Sequence, residues 1–111
     1  MQNDKILHPA ILPIHNGELL SAEEEISLVI LAKNGDELSM HQLIVANHRF
    51  VCALAKRYQG NGLFLEELIN AGNKGIAEAC MKFNPAHGFK FISYAVWFVR
   101  HAILNELNLT K

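Results

Sequence analysis

The 111-residue sequence predicts an all-α fold, a compact bundle of about four to five helices joined by short loops. Apolar residues recur at spacings of three and four along several segments, as they do on one face of a helix. The alternation of apolar and polar residues that marks a strand is not sustained anywhere. Half of the residues are hydrophobic, which suits the modest core of one domain and leaves no room for two.

The N-terminal part of the chain predicts an arm followed by a first helix. Residues 1–17 contain two prolines and a glycine without a helical period, so we expect an extended arm there and a helical domain over 18–111. The first helix begins with a capping box, since Ser21 is followed three residues later by Glu24. Gly35 is suited to end this helix.

Two further helices are predicted between Asp36 and the turn before the C-terminal segment. Asp36 is a favourable N-cap for the second helix, which we expect to continue to the Gly60–Gly62 loop. Its apolar side consists of Leu43, Ala46, Phe50, Leu54 and Tyr58. The apolar side of the third helix consists of Leu65, Leu68, Ile69, Ile76, Ala79 and Cys80. Gly72 and Gly75 each cost this helix about 1 kcal/mol relative to alanine, so we expect tight packing or a turn there.

The last helix follows the turn Asn84–Gly88 and is unusually rich in aromatic residues over 89–103, FKFISYAVWFVRHAI. One apolar stripe consists of Phe91, Ala95, Phe98 or Val99, Ala102 and Ile103. A neighbouring stripe consists of Tyr94, Trp97, Phe98 and His101. Two interpretations of the second stripe remain open: a central helix covered on both sides, or an exposed platform on which unpaired bases stack. In the second interpretation, Lys82, Lys90 and Arg100 would neutralise phosphates.

The charge of the chain is unevenly distributed. Up to Asn47 there are seven acidic and two basic residues, whereas from His48 onward there are eight basic and four acidic residues. The C-terminal part therefore carries a formal charge of about +4, which favours an anionic partner. Acidic and basic faces that are simply solvated would give the same distribution.

Several functional classes have little support in the sequence. Cys52 and Cys80 lack the spacing of a metal site, and we expect both to be small buried residues in a reducing compartment. The apolar runs are too short for a membrane span and no signal peptide is evident, so we expect a cytoplasmic protein. Six histidines are scattered without a catalytic motif, so we expect no enzyme activity, cofactor, metal or small-molecule substrate.

Four consecutive blocks of the sequence carry a resemblance to a known family. They are LLSAEEEI, LIVANHRFVCALAKRYQGNGL, ELINAGNKGIAEACMKFNP and GFKFISYAVWFVRHAI, which together span Leu19 to Ile103. In order and spacing they resemble the end of region 1 and nearly all of region 2 of the sigma-70 family of bacterial RNA polymerase sigma factors. The resemblance implies a helical module that binds core RNA polymerase and recognises the promoter −10 element while it opens.

The resemblance also implies DNA-binding roles, which we carry over one residue at a time. The residue matching Tyr94 supports a flipped adenine of the non-template strand, and the pair matching Trp97 and Phe98 forms a wedge at the upstream edge of the bubble. Phe83 matches a pocket residue beside that adenine, and Asn47 matches an asparagine that holds a second flipped base, a thymine.

The remaining DNA-binding positions are basic residues and their aromatic neighbour. Phe89 and Lys90 match an aromatic and basic pair that faces the single strand. Arg100 and His101 match positions that contact the upstream, still paired DNA. Burial in the core would be the simpler role for Phe83 and Phe89, and a solvated surface for Asn47 and the lysines.

The resemblance further implies that the third helix binds a coiled coil of the largest polymerase subunit through Glu66, Glu67, Asn70 and Asn73. An exposed helical face is the simpler interpretation of the two glutamates. Two neighbours depart from the family pattern: Ala71 loses an acidic group and Lys74 adds a basic one, a combination expected to weaken an electrostatically matched interface.

Other departures affect the expected DNA contacts. Phe98 replaces a second tryptophan and loses its indole donor, and His101 replaces a glutamine that presents one more hydrogen-bonding group. Ala86 and His87 stand where the family has an acid and an arginine. Family members normally continue into a middle domain and a helix-turn-helix domain that reads the −35 element, and 111 residues leave no room for either. The alternative function is therefore a truncated regulator or decoy that binds RNA polymerase or another protein without opening a promoter.

Overall fold

The computed structural model describes residues 20–88 and 90–109, and within them the predicted all-α fold is confirmed. The helices are α1 (Ala22–Lys33), α2 (Glu37–Ala46), α3 (His48–Lys56), α4 (Leu65–Lys82) and α5 (Phe91–Leu109), with a 3₁₀ turn at Pro85–His87 between the last two. The predicted N-terminal arm, residues 1–17, lies outside the described residues. No helix in the described ranges is long and apolar enough to cross a membrane.

The predicted starts of the first two helices are confirmed. The Ser21 hydroxyl accepts a hydrogen bond from the Glu24 amide at 3.1 Å, and the Glu24 carboxylate accepts one from the Ser21 amide at 2.8 Å. The Asp36 carboxylate accepts a hydrogen bond from the Ser39 amide at 2.9 Å and caps α2. Gly35 lies between the two helices with a φ of 97°, a left-handed conformation that glycine adopts without strain.

The prediction of one continuous second helix is wrong, because the chain breaks at Asn47. This residue lies between α2 and α3 with φ −103° and ψ 11°, outside the usual helical range. Its side-chain amide donates a hydrogen bond to the Leu43 carbonyl at 2.8 Å. An asparagine side chain that binds nearby backbone competes with the helical ladder, which accounts for the interruption. The apolar spacing continues across the break, so periodicity alone did not reveal it.

Of the two explanations expected for the glycines of α4, tight packing or a turn, tight packing is confirmed. A β-carbon on Gly75 would lie 2.7 Å from both the Phe98 carbonyl oxygen and the Val99 α-carbon, so the backbones of α4 and α5 are in direct contact there. A β-carbon on Gly72 would lie 2.7 Å from a Val51 methyl group, so α3 closes on the same part of α4. All five helices contribute buried residues to one core cluster, with α4 in contact with each of the other four helices.

Candidate nucleic-acid interface

The inner stripe of α5 is sealed in the core. It consists of Phe91, Ala95, Val99, Ile103 and Leu107, none of them more than 5% exposed. The alternative left open between Phe98 and Val99 is therefore settled in favour of Val99, while Phe98 is only partly buried. Gly75 on α4 explains this register, because its missing side chain lets the backbone at Val99 approach α4 directly.

The neighbouring stripe remains open to solvent, and we call Tyr94, Trp97, Phe98 and His101 the aromatic surface. The Trp97 side chain is 58% exposed and His101 is exposed, whereas Tyr94 and Phe98 are half-buried. The rings form a continuous series: the centroids of Tyr94 and Phe98 lie 5.0 Å apart, those of Phe98 and Trp97 5.4 Å, and those of Trp97 and His101 4.0 Å. Within the described residues, no neighbouring helix covers Trp97.

Phe83 packs against Tyr94 on the core side of the aromatic surface. Its side chain is 2% exposed, and its ring centroid lies 5.4 Å from that of Tyr94 and 5.4 Å from that of Phe91. The Tyr94 hydroxyl donates a hydrogen bond to the Lys82 carbonyl at 3.4 Å. Phe83 therefore has a core position in this structure, and almost none of its ring is available for direct contact with a base.

Basic side chains lie beside the rings. The Lys82 ammonium is 5.6 Å from the centroid of the Phe98 ring and 3.3 Å from the Glu78 carboxylate. Lys90, just before α5, and Arg100, on its second half, are both exposed. Phe89, their predicted aromatic companion, lies outside the described residues. The exposed pair of Lys82 and Glu78 is only weakly stabilising, so phosphate can compete for this lysine.

Asn47 is positioned on a different element from the aromatic surface. It is 8% exposed at the junction of α2 and α3, so the simpler expectation that it faces water is wrong. Because its amide group already binds the Leu43 carbonyl, contact with a base would have to replace or share that hydrogen bond. Its role in holding a second base stays a prediction.

The predicted polymerase-binding residues occupy the first half of α4. Glu66, Glu67 and Asn70 are exposed, and Glu67 also accepts a hydrogen bond from the Phe64 amide at 2.9 Å. Asn73 is partly buried, and its side-chain oxygen is buried without a hydrogen-bond partner in the described part of the protein.

Ala71, one of the two departures from the family pattern on this helix, lies in the core, and its effect on polymerase binding stays a prediction. Its side chain is 4% exposed and belongs to the core cluster, because position 71 lies on the inner face of α4. Lys74 is exposed and remains a departure that a partner would meet.

Sequence reasoning missed one exposed aromatic residue near these acids. Phe64 directly precedes α4 and its side chain is 80% exposed, the highest value among the exposed large hydrophobic residues of the described chain. Helical periodicity could not place it, because it lies outside the helix. Its position after the glycine-containing loop was the available signal.

The thiols differ from each other. Cys80 is buried as expected, and its thiol donates a hydrogen bond to the Val29 carbonyl at 3.7 Å. Burial raises the pKa of this thiol to about 11, although the nearby Lys33 ammonium acts to lower it. Cys52 is only half-buried, so that part of the expectation is wrong, and its sulfur lies 3.2 Å from the His48 Nε2. In the described ranges, no group of three or more His, Cys, Asp or Glu side chains could hold a metal ion.

Exposed rings beside basic side chains on a rigid helix are the features of proteins that bind unpaired nucleic acid. Comparison with known families makes this class more specific. A family model described as Sigma-70 region 2 matches residues 43–110. The chain belongs to the sigma-70 family, as the resemblance of its sequence blocks indicated.

Curated relatives agree with this assignment. The RNA polymerase sigma factor SigA of Clostridium acetobutylicum is 48% identical over 89 residues, which are 80% of this chain and 24% of that protein. A protein of the same name from a Bacillus species is 46% identical over 89 residues, with the same coverage of 80% and 24%. The chain therefore spans about a quarter of the length of these relatives.

Proposed function

We propose that this chain is a transcription-initiation module that recognises promoter DNA by holding unpaired bases of the −10 element on its aromatic surface. The observation that supports the proposal most strongly is that Trp97 is 58% exposed. Packing against other helices would otherwise bury so large an aromatic side chain. Membership of the sigma-70 family supports promoter DNA as the nucleic acid that this surface binds. The proposal concerns the non-template strand, which is single-stranded once the promoter opens.

The proposed mechanism is capture of bases by stacking. Each base that stacks on an aromatic side chain recovers about 1–3 kcal/mol, which compensates part of the stacking and pairing lost when the duplex opens. In this scheme Tyr94 supports the flipped adenine, and Trp97 with Phe98 forms the wedge at the upstream edge of the bubble. The protein shifts an equilibrium between closed and open DNA, so the step needs no catalytic group and no nucleotide hydrolysis.

Basic and polar residues complete the proposed DNA contacts. Lys82, Lys90 and Arg100 attract the phosphates around the rings, a contribution that falls as salt concentration rises. His101 reads the upstream paired segment, where its ring already packs on Trp97 with 4.0 Å between centroids. Asn47 holds the second flipped base, a thymine, from the junction of α2 and α3.

Core RNA polymerase is the proposed protein partner. Glu66, Glu67 and Asn70 form the exposed first half of α4, and Asn73 adds a buried oxygen without a partner in the described chain. A coiled coil of the largest polymerase subunit with basic residues would complement these groups. Phe64 extends this surface with an exposed ring of the kind that often dominates binding energy at protein interfaces.

Fluorescence anisotropy with labelled single strands tests the DNA-binding proposal. The chain is expected to bind a −10-type non-template strand more tightly than a scrambled strand of the same composition and length at matched salt. Equal affinity for the two strands would reject sequence-selective capture, because phosphate attraction alone does not distinguish them.

The alternative function is a regulator or decoy that binds RNA polymerase or another protein without opening a promoter. The exposed Phe64 beside Glu66 and Glu67 favours it, since this surface lies outside the aromatic surface and requires no DNA. Co-purification with polymerase in the absence of any selective oligonucleotide binding would favour this function over the first.

A further inference from the structure

Three residues of α1 form a row against the junction of α4 and α5. Glu25, Val29 and Lys33 are separated by four residues each, so they lie along one side of α1 over about 12 Å. The Glu25 carboxylate accepts a hydrogen bond from the Phe91 amide at 3.2 Å. The Val29 carbonyl accepts one from the Cys80 thiol, and the Lys33 ammonium donates one to the Phe83 carbonyl.

The two charged residues of this row match the polarity of the helix ends that they contact. Lys33 binds the carbonyl of Phe83, which directly follows α4, where unpaired carbonyls carry partial negative charge. Glu25 binds the amide of Phe91 at the first residue of α5, where unpaired amides carry partial positive charge. We call Glu25 and Lys33 the α1 brace, because they hold the two ends of the α4–α5 junction to one rigid helix.

The junction held by the α1 brace carries the base of the aromatic surface. Phe83, whose carbonyl Lys33 binds, places its ring 5.4 Å from Tyr94. Phe91, whose amide Glu25 binds, lies one helical turn before Tyr94 and also contacts the Phe83 ring. The two residues whose backbones are hydrogen-bonded to α1 are thus the ones whose rings pack together beneath Tyr94, Phe83 by direct contact and Phe91 through Phe83.

We propose that Glu25 and Lys33 are positioning residues that set the Tyr94 ring for an unpaired base while touching no DNA themselves. This inference rests on the proposed function of the aromatic surface. It gives two residues of α1, a helix that precedes the region 2 match at 43–110, a part in base capture.

The test compares Lys33→Met with Lys33→Arg in the complete chain. Two labelled probes are used: a −10-type single strand, and the same strand with the flipped adenine replaced by an abasic site. Lys33→Met is expected to weaken binding of the first probe by about fivefold, since it removes a charge-assisted hydrogen bond to the junction. The abasic probe is expected to lose less than about twofold, and Lys33→Arg to restore most of the affinity.

Salt dependence separates positioning from direct contact with DNA. If Lys33 touches no phosphate, the slope of log affinity against log salt stays the same in Lys33→Met as in the unchanged chain. The matched control is Lys74→Met, which removes an exposed lysine from α4 and should leave both probes bound as before.

Unchanged binding of the base-containing probe by Lys33→Met would overturn the inference, as would equal loss on both probes or a reduced salt slope.

If Lys33→Met does not fold, Glu25→Leu tests the other end of the α1 brace, with Glu25→Gln as the variant that keeps an acceptor for the Phe91 amide. Loss in the leucine variant alone supports the inference, and equal behaviour of the two contradicts it. Failure of the unchanged chain to prefer the −10-type strand over a scrambled one would instead reject the proposed function.

Discussion

The two sides of α5 differ in packing far more than in composition. The inner stripe contains Phe91 at 1% exposure, and the aromatic surface contains Trp97 at 58% exposure, although the two residues lie on the same helix. The cause lies on α4, where Gly75 brings the two backbones together at Val99 and thereby turns Trp97 outward. An aromatic-rich helix can thus contribute to the core on one side and leave rings exposed for the proposed binding on the other, with one glycine setting the boundary.

Gly75→Ala should break this arrangement with the largest effect on stability. Its β-carbon would meet α5 backbone atoms at 2.7 Å, and backbone cannot move aside as a side chain can. We expect a loss of about 3 kcal/mol in the free energy of unfolding, measured by urea denaturation.

Gly72→Ala is the matched control for that substitution. Its added β-carbon would meet methyl groups of Val51 at 2.7 Å and Val99 at 3.3 Å, which can shift by changing rotamer or position. We expect it to cost clearly less than Gly75→Ala. Equal costs for the two variants would show that close backbone contact does not set the register of α5.

Trp97→Ala should have the opposite profile, with little effect on stability and a large effect on binding. Because most of the side chain is exposed, the free energy of unfolding should change by less than about 0.5 kcal/mol. Binding of the −10-type strand should weaken by about tenfold, the equivalent of one stacked base. Urea denaturation and anisotropy measured on the same preparation check both parts. A large loss of stability with unchanged binding would show that the Trp97 ring contributes to packing and not to binding.

Tyr94→Phe should have a smaller effect on binding, and it distinguishes the contribution of the ring from that of the hydroxyl group. The substitution removes only the hydrogen bond from the hydroxyl to the Lys82 carbonyl, which is long at 3.4 Å. Anisotropy should show affinity for the −10-type strand within about twofold of the unchanged chain, whereas Tyr94→Ala should lose about tenfold. Equal losses would identify the hydroxyl, and not the ring, as the group that matters.

Glu25→Gln should produce the smallest effect, visible as a change in pH dependence. Burial raises the pKa of Glu25 above its ordinary value, more than the Phe91 amide and the Lys90 ammonium lower it. The folded state therefore holds the Glu25 proton more tightly, a contribution to stability that is complete below the unfolded pKa and lost as pH rises through the folded pKa. Urea unfolding from about pH 4 to pH 7 should show the unchanged chain losing stability relative to Glu25→Gln. A difference that stays constant, or that grows in favour of the unchanged chain, would contradict this.

Local features of the fold could be predicted from the sequence because their causes are local. The capping box at Ser21 and the N-cap at Asp36 each depend on a few neighbouring residues. The α4 glycines were recognisable by their cost to a helix, although the residues that pack on them, Val51, Phe98 and Val99, are distant in sequence. The break at Asn47 was missed because it depends on one side-chain hydrogen bond within an unbroken apolar pattern.

The candidate site could be predicted only in part. The second stripe of α5 was visible as a pattern, but whether it was covered depended on the placement of other helices. The outward position of Phe64 and the inward position of Ala71 also follow from packing. The α1 brace joins residues 66 and 50 positions apart in sequence, and no periodicity indicates such contacts.

Intrinsic fluorescence tests the central claim most directly, because Trp97 is the chain's single tryptophan and lies on the aromatic surface. Titration with the −10-type single strand is expected to change its emission saturably, with a midpoint that matches the anisotropy curve. The scrambled strand is expected to change it only at higher concentration. Emission that stays constant while the −10-type strand binds would show that bases do not stack on this ring, and would contradict the account.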